Sequence, residues 1–432
     1  MTSQLETTHE QLTDEVTDVQ RIRRGVEADV QTDRPLRQTP TQCAQVGCVV
    51  DEATRVQVVE QIHMTPMLPA PVAQRCLSNV HRVPDLAELQ LRFHHFGRTT
   101  ASRAPLYSRL SAAIADDREV ARLLTSAPEP QQLPVLFFAA VHWLLLAGNG
   151  PELAAFYPNL AAAPLATDPY PTFRAFVVNH QPELQDLISR KRTQTNEVGR
   201  CASFLPALGM VASECGPLAL VDVGTSGGLN LLLDRFSYEY LPGGVVGTHA
   251  DVHLACATRG NVPVPRSLPD IRAAIGIDRD PIDVTDEEAA RWLEACVWPD
   301  QLDRFERLVA AIGVARSDPP DVRHGDAIED LARTVEEAAL SAHPVVTNSW
   351  VLNYLTGEQR TRYVATLDAV GAARDLSWVI AESPAETPEL PVPINDTDKH
   401  LTVLSLVTWR SGKRMARRLG TTHPHGFWLH WD

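Results

Sequence analysis

Cysteine is scarce in this chain and makes no pattern. The seven residues, Cys43, Cys48, Cys76, Cys201, Cys215, Cys256 and Cys296, are odd in number and include no C-x-x-C pair. That argues against a disulfide framework and against a four-thiolate zinc site. Cys43 and Cys48 stand close together, but no second close pair completes a ligand set, so no metal is expected. With no secretory signal ahead of these thiols, a reducing cytoplasm is the expected compartment. Basic charge is also short: 39 Lys and Arg face 54 Asp and Glu, a net charge of -15. Such a balance disfavours a nonspecific grip on nucleic-acid phosphates. The one basic cluster, Lys413, Arg414, Arg417 and Arg418, reads as a solvated strand face. Finally, no charge-free apolar run is long enough to cross a bilayer, so neither a nucleic acid nor a membrane is an expected partner.

What is present is a globular composition, 44% hydrophobic over 432 residues, too long for one ordinary core. Residues 1–85 are polar and show no sustained apolar period beyond a possible short helix at Val56 to Ile62. They read as a disordered tail. From Leu86 the pattern becomes helical, with Leu86, Leu89, Phe93 and Phe96 at helical spacing, followed by Leu106, Leu110 and Ile114 and by Val120, Leu123 and Leu124. The stretch Leu133 to Leu146 is apolar on nearly every face and predicts a buried helix, in which His142 is expected to be satisfied by a backbone carbonyl. Phe173 to Ser189 and Glu197 to Leu208 predict two further helices. Residues 86–212 are therefore expected to form an all-helical domain. Within TQTNEVGR, Asn196 is placed to cap a helix, with Glu197 and Arg200 on its first turn. Two readings stand there: a cap with a surface ion pair, or a cap that faces the active cleft.

From Leu218 short β-type runs alternate with helical patterns, the mark of β-α-β units around a mostly parallel sheet. Strands are predicted at LALVDVG, IRAAIGID, Val322, Val345 to Asn348 and Trp378 to Glu382. Thr285 and Glu288 form the signature of a capping box for the helix that follows, and another helix is expected from about Asp300 to Ala315. Leu401 to Trp409 and Arg414 to Leu419 read as an antiparallel hairpin, with a last strand at Phe427 to Trp431. Residues 213–432 are thus expected to be a second, α/β domain.

The strongest local signal is Val221-Asp222-Val223-Gly224-Thr225-Ser226-Gly227-Gly228-Leu229-Asn230, a strand that breaks into a small-residue turn before an apolar helix. Small residues let the backbone approach a ligand, and a helix N-terminus offers free N–H groups. This turn resembles the first motif of class I S-adenosylmethionine-dependent methyltransferases, acidic-x-Gly-x-Gly-x-Gly, with Asp222, Gly224 and Gly228 in register and Ser226 at the middle glycine. The same letters satisfy Gly-x-Ser-x-Gly, the nucleophile elbow of α/β-hydrolases, with Asp326 and His423 or His425 following in triad order. Because the sequence ahead of the turn is helical, and no His-Gly-Gly segment precedes it, the cofactor reading is preferred.

Ligands in open α/β sheets bind at the carboxyl ends of strands, and the methyltransferase resemblance assigns roles there. It implies that Asp278 accepts from ribose hydroxyls, that Asp326 with Ala327 receives the adenine amino group, and that Asn348 faces the transferred methyl while Trp350 walls the pocket. Each has a plainer counterpart: a turn carboxylate, a helix cap, a polar strand end and a core aromatic. Taken with GIDRDPIDVTDEEAARWLEACVWPDQ, RHGDA and the closing HPHGFWLHW, these segments resemble, over about residues 86–432, a bacterial family common in actinobacteria and known only as a domain of unknown function. The second half of that family is similar to the methyltransferases. One departure stands out. About fifty residues separate Gly228 from Asp278, where the ribose carboxylate usually follows its glycine loop by about twenty. Either an inserted hairpin intervenes, or Glu239 is the ribose partner.

The expectation is a Rossmann-like, methyltransferase-type sheet with an antiparallel terminal hairpin, preceded by helices and a tail. The expected activity is methyl transfer from S-adenosylmethionine to a small or peptidic acceptor, with Glu197, Arg200 and Asn348 at the acceptor and Asp222, Gly224, Ser226, Gly228, Asp278, Asp326 and Ala327 at the cofactor. The alternatives are a hydrolase with Ser226 as nucleophile, and a nucleotide-binding scaffold without catalysis.

Overall fold

A computed structural model describes residues 86–248 and 250–432. The tail, the Val56 to Ile62 helix and the Cys43 and Cys48 pair lie outside the described residues. Every described element belongs to one compact unit, Pro66–Asp432.

Among the described residues seven α-helices come first: α1 (Leu86–Thr99), α2 (Pro105–Asp116), α3 (Arg118–Arg122), α4 (Pro134–Leu146), α5 (Pro151–Ala154), α6 (Tyr170–Asn179) and α7 (Gln181–Arg190). The expected helix over Phe173 to Ser189 is two helices, because the chain leaves helical geometry at His180 and restarts with Pro182 in the first turn of α7. α4 is buried on nearly all sides, as its composition requires. His142 in it has Nδ1 3.1 Å from the carbonyl of Ala295 and Nε2 2.9 Å from the amide of Asn159. Burial pushes its pKa down to about 4, so the ring is neutral.

Helix α8 (Arg200–Cys215) leads into β1 (Leu218–Val223), and the remaining elements are β2 (Ser237–Leu241), β3 (Gly244–Val246), β4 (His253–Arg259), β5 (Ile271–Asp278), α9 (Glu287–Ala295), α10 (Leu302–Ser317), β6 (Asp321–His324), α11 (Leu331–Ala338), β7 (His343–Ser349), α12 (Gly357–Ala373), β8 (Leu376–Glu382), β9 (Thr402–Arg410), β10 (Lys413–Thr422) and β11 (Trp428–Trp431). The strands form one sheet in the order β3-β2-β4-β11-β10-β9-β8-β7-β1-β5-β6. From β6 to β8 all neighbours are parallel. Numbered by their own sequence order, these five strands run 3-2-1-4-5, so chain direction across the sheet reverses between β1 and β7, the crevice where doubly wound sheets bind ligands. Beyond β8 comes the antiparallel hairpin β9–β10, closed by Ser411 and Gly412 at φ 51° and 75°. Positive φ at both central residues is the backbone of the tight turn that matches strand twist.

Alternation along the strands sorts the core into two layers. Leu218 and Leu220 of β1 pack with α8 and α10, while Ala219, Val221 and Val223 pack with α11 and α12. α8 shares its core with residues of β2, β4, β8, β9, β10 and β11. A proline at position 206 interrupts α8 and leaves the carbonyl of Ala202 without its helical donor. The hydroxyl of Tyr240 donates to that carbonyl at 2.8 Å.

This fold corrects two expectations, the capping box at Thr285 and Glu239 as the alternative ribose partner. The helix at Glu287 is capped by Asp286, whose side chain accepts from the N–H of Ala289, whereas Thr285 bonds Asp283. Between Gly228 and Asp278 the inserted strands do not sit beside β1. They form the far edge of the sheet, so that β4, β11, β10, β9, β8 and β7 separate Glu239 on β2 from the glycine turn. Glu239 faces His253 at 3.4 Å and is no ribose partner.

Candidate functional site

The small residues after β1 are held by the neighbouring strand. The N–H of Gly224 donates to the carbonyl of Ile277 at 2.9 Å, which aligns the turn with the end of β5. Gly224 has φ 72°, and a Cβ there would come within 2.5 Å of the side chain of Val351, so only glycine fits. Ser226 follows at φ 55°. Its N–H donates to Asp278 Oδ2 at 2.7 Å, and Asp278 Oδ1 accepts from Asp280 N–H at 2.9 Å. Thus Asp278 sits beside the turn, at the end of the neighbouring strand. After Gly228 the chain forms a kinked 3-10 helix, Leu229–Arg235, where an apolar α-helix is expected. The N–H of Leu229 is capped from outside by Asn196 Oδ1 at 3.1 Å.

Asp222 lies under the turn, 6% exposed, and accepts from the hydroxyl of Thr347 at 2.7 Å. Burial pushes its carboxyl up to about 6 against the help of Thr347. Opposite the turn, β7 is followed by Trp350, again at φ 55°, with its indole N–H donating to Thr402. Bulky side chains rarely adopt this conformation. Two strained non-glycine residues therefore flank the crevice, one after β1 and one after β7.

Asn348 is fully buried and engaged at both ends. Its amide donates to Glu382 Oε1 at 2.9 Å and accepts from the indole of Trp378 at 2.6 Å. The same carboxylate oxygen accepts from the N–H groups of Val351 and Leu352. Glu382 was not singled out by sequence reading, and only its place at a strand end could have pointed to it. Burial raises its pKa against these three donors and the nearby Arg200.

The segment Gln194 to Val198 lies over the turn. Gln194 Oε1 receives the hydroxyl of Ser226 at 2.6 Å, and Gln194 donates to the carbonyl of Asp280. Together with Leu293 and Arg304, the segment lines a small recess of about 10 Å3, room for about one water. Glu197 is no surface residue: it is 5% exposed, bonded by Arg304 at 2.5 Å and 3.6 Å from Arg307. Burial alone would raise its pKa, but the two guanidinium groups outweigh it and hold the carboxyl below the ordinary range. Arg200 makes no ion pair with it. It donates instead to the carbonyls of Ser349 and Pro424, tying α8 to the end of β7 and to the turn before β11. That turn packs so closely on Gly199 that neither Gly199 nor Gly426 has room for a Cβ. Two sequence segments that read as unrelated, NEVGR and HPHG, thus form one joint.

Asp326 caps its own turn, accepting from the N–H groups of Ile328 and Glu329, with Arg279 at 3.3 Å. Ala327 packs against the core on the α12 face. For a hydrolase, Ser226 has the strained backbone of an elbow, but its hydroxyl donates to an amide oxygen that cannot serve as a base. Among the described residues, no three His, Cys, Asp or Glu side chains gather as metal ligands, and no helix is long and apolar enough to cross a membrane.

Residues 90–431 match the model of a family described as an uncharacterized protein conserved in bacteria (DUF2332). The chain belongs to this family. No curated protein and no solved structure matches it.

Proposed function

We propose that this DUF2332 chain is an S-adenosylmethionine-dependent methyltransferase with the cofactor on the glycine turn and a small or peptidic nucleophile as acceptor. The observation that carries this reading is the pair of strained residues, Ser226 and Trp350, on either side of Gly224 at the point where the strand order reverses. Each such conformation costs about 1–3 kcal/mol and persists where the surrounding structure enforces it, most often at ligand sites. Three features of the turn support an adenosyl group there: the glycine backbone at Gly224, the carboxylate of Asp278 beside it and the carboxyl of Asp222 beneath it. Side chains cover the turn, among them Val351 over Gly224 and Gln194 bonded to Ser226. They must turn aside on binding.

The cofactor supplies an electrophilic methyl carbon, so the protein's part is to align the acceptor and exclude water. Asp278 would hold the ribose hydroxyls, and Asp326 with Ala327 would meet the adenine. Asn348 is fastened to Trp378 and Glu382 and positions that carboxylate rather than touching the acceptor. Glu197 and Arg200 anchor the Gln194 to Val198 segment over the turn.

Titration calorimetry tests the reading. S-adenosylhomocysteine should bind the full chain, and Val351→Ala should bind it several-fold more tightly because one obstruction is gone. If neither protein takes up S-adenosylmethionine or its product, the proposal fails. Labelling of Ser226 by a fluorophosphonate would point to the hydrolase instead.

A further inference from the structure

The carboxyl end of β8 opens, on the α12 face of the sheet, onto a cavity of about 80 Å3 under the strap that joins β8 to β9. Its wall is mostly apolar, with Ile380, Leu390, Val392 and Val403, and carries three polar side chains, Glu382, Ser405 and Thr387, the last with its hydroxyl donating to the carbonyl of Ser383. Glu382 and Ser405 are buried, at 3% and 1% exposure. Oε1 of Glu382 is saturated by the three donors described above. The other oxygen, Oε2, is buried without a hydrogen-bond partner, and so is the hydroxyl of Ser405. In the β8–β9 ladder Ser405 pairs with Ile380 and Val403 pairs with Glu382. Ser405 is thus the diagonal neighbour of Glu382 on one face of the sheet.

A buried carboxylate oxygen and a buried hydroxyl left unpartnered are costly, and native proteins keep such groups chiefly where a ligand or a water completes them. The strap keeps the space open because it is fastened at three points. Arg360 binds Glu389 with two hydrogen bonds, at 2.5 and 3.1 Å. The N–H of Ala385 donates to the carbonyl of Lys399. Arg418 grips Asp398 at 2.7 and 3.0 Å.

We propose that this cavity binds a small apolar molecule bearing one hydrogen-bond donor, an amine or a hydroxyl, which is received by Glu382 Oε2 and Ser405 Oγ. The apolar wall takes the hydrocarbon part, and the two polar atoms set its orientation. A carboxylate ligand is refused, since it would bring a second acid against Glu382. The inference concerns binding alone and holds whether or not the glycine turn takes S-adenosylmethionine.

Benzylamine, benzyl alcohol and benzoate, titrated into the full chain and followed by saturation-transfer NMR, provide the test. Benzylamine and benzyl alcohol should bind and benzoate should not. Ser405→Val, which removes the hydroxyl and adds bulk to the cavity, should weaken both by about tenfold, the effect of losing one hydrogen bond to a charged or buried partner. Glu382→Gln, checked for folding by its melting temperature, should weaken the amine more than the alcohol. The proposal is overturned if benzoate binds as well as benzylamine, if neither donor binds because water alone fills the space, or if Ser405→Val leaves both affinities unchanged.

Discussion

Glu197 holds two partly buried arginines in place. Its carboxylate is 4% exposed, and the guanidinium groups of Arg304 and Arg307 are 12% and 17% exposed. Removing the one anion leaves two cations with little water around them, and breaking a buried pair from one side costs about 3–5 kcal/mol. Glu197→Gln should therefore unfold in urea with that much less stability at neutral pH. The folded pKa lies below the unfolded one, so the stabilisation is present above the ordinary carboxylate range and is lost as pH falls through the folded value. The gap between variant and parent should narrow on acidification below about pH 4. A constant gap would show that the charge is not what matters. The sequence marked Glu197 because it stands in TQTNEVGR, but its partner Arg304 is 107 positions away. No local pattern reveals such a contact.

At the scale of elements, strong periodicity was legible and caps were less so. The buried helix at Leu133 to Leu146 and the strands at 218, 271, 345, 376 and 402 follow directly from apolar runs and alternation. α12 went unread because its buried face includes Arg360, and its apolar residues are spread without a clean stripe. The 3-10 helix after the glycine turn was read as an α-helix since LNLLL is apolar enough for either. Pro206 in α8 is a further case: locally it argues against a long helix, and only Tyr240, from a strand across the core, makes it tolerable. Tyr240→Phe leaves the carbonyl of Ala202 buried without a donor and should cost about 1–3 kcal/mol. In a Pro206→Ala background the helix supplies its own N–H, so the same change should cost much less. A double-mutant cycle reads this coupling directly. Equal costs in both backgrounds would dismiss the link between the hydroxyl and the proline.

Across the whole molecule, strand order is what sequence reading did not reach. The inserted strands β2, β3 and β4 follow the turn directly in sequence, yet β4 pairs with β11 at the other edge and β2 and β3 lie beyond it. They reach it because Tyr238, Tyr240, Leu254 and Cys256 need an apolar partner, and α8 supplies one together with β8 to β11. A cut between residues 212 and 213 would therefore remove the centre of a core. Cys201, Phe204, Leu205 and Leu208 of α8 are all buried against those strands, each at 2% exposure or less. At about 2–5 kcal/mol for each large side chain, loss of several of them matches the about 5–15 kcal/mol that separates folded from unfolded domains. A fragment of residues 213–432 should lack the dispersed NMR spectrum of a folded protein, whereas residues 86–432 should retain it and melt in a single calorimetric transition. A cooperative, well-dispersed 213–432 fragment would mean that the sheet holds itself together without α8, and that the helices before it are an independent domain.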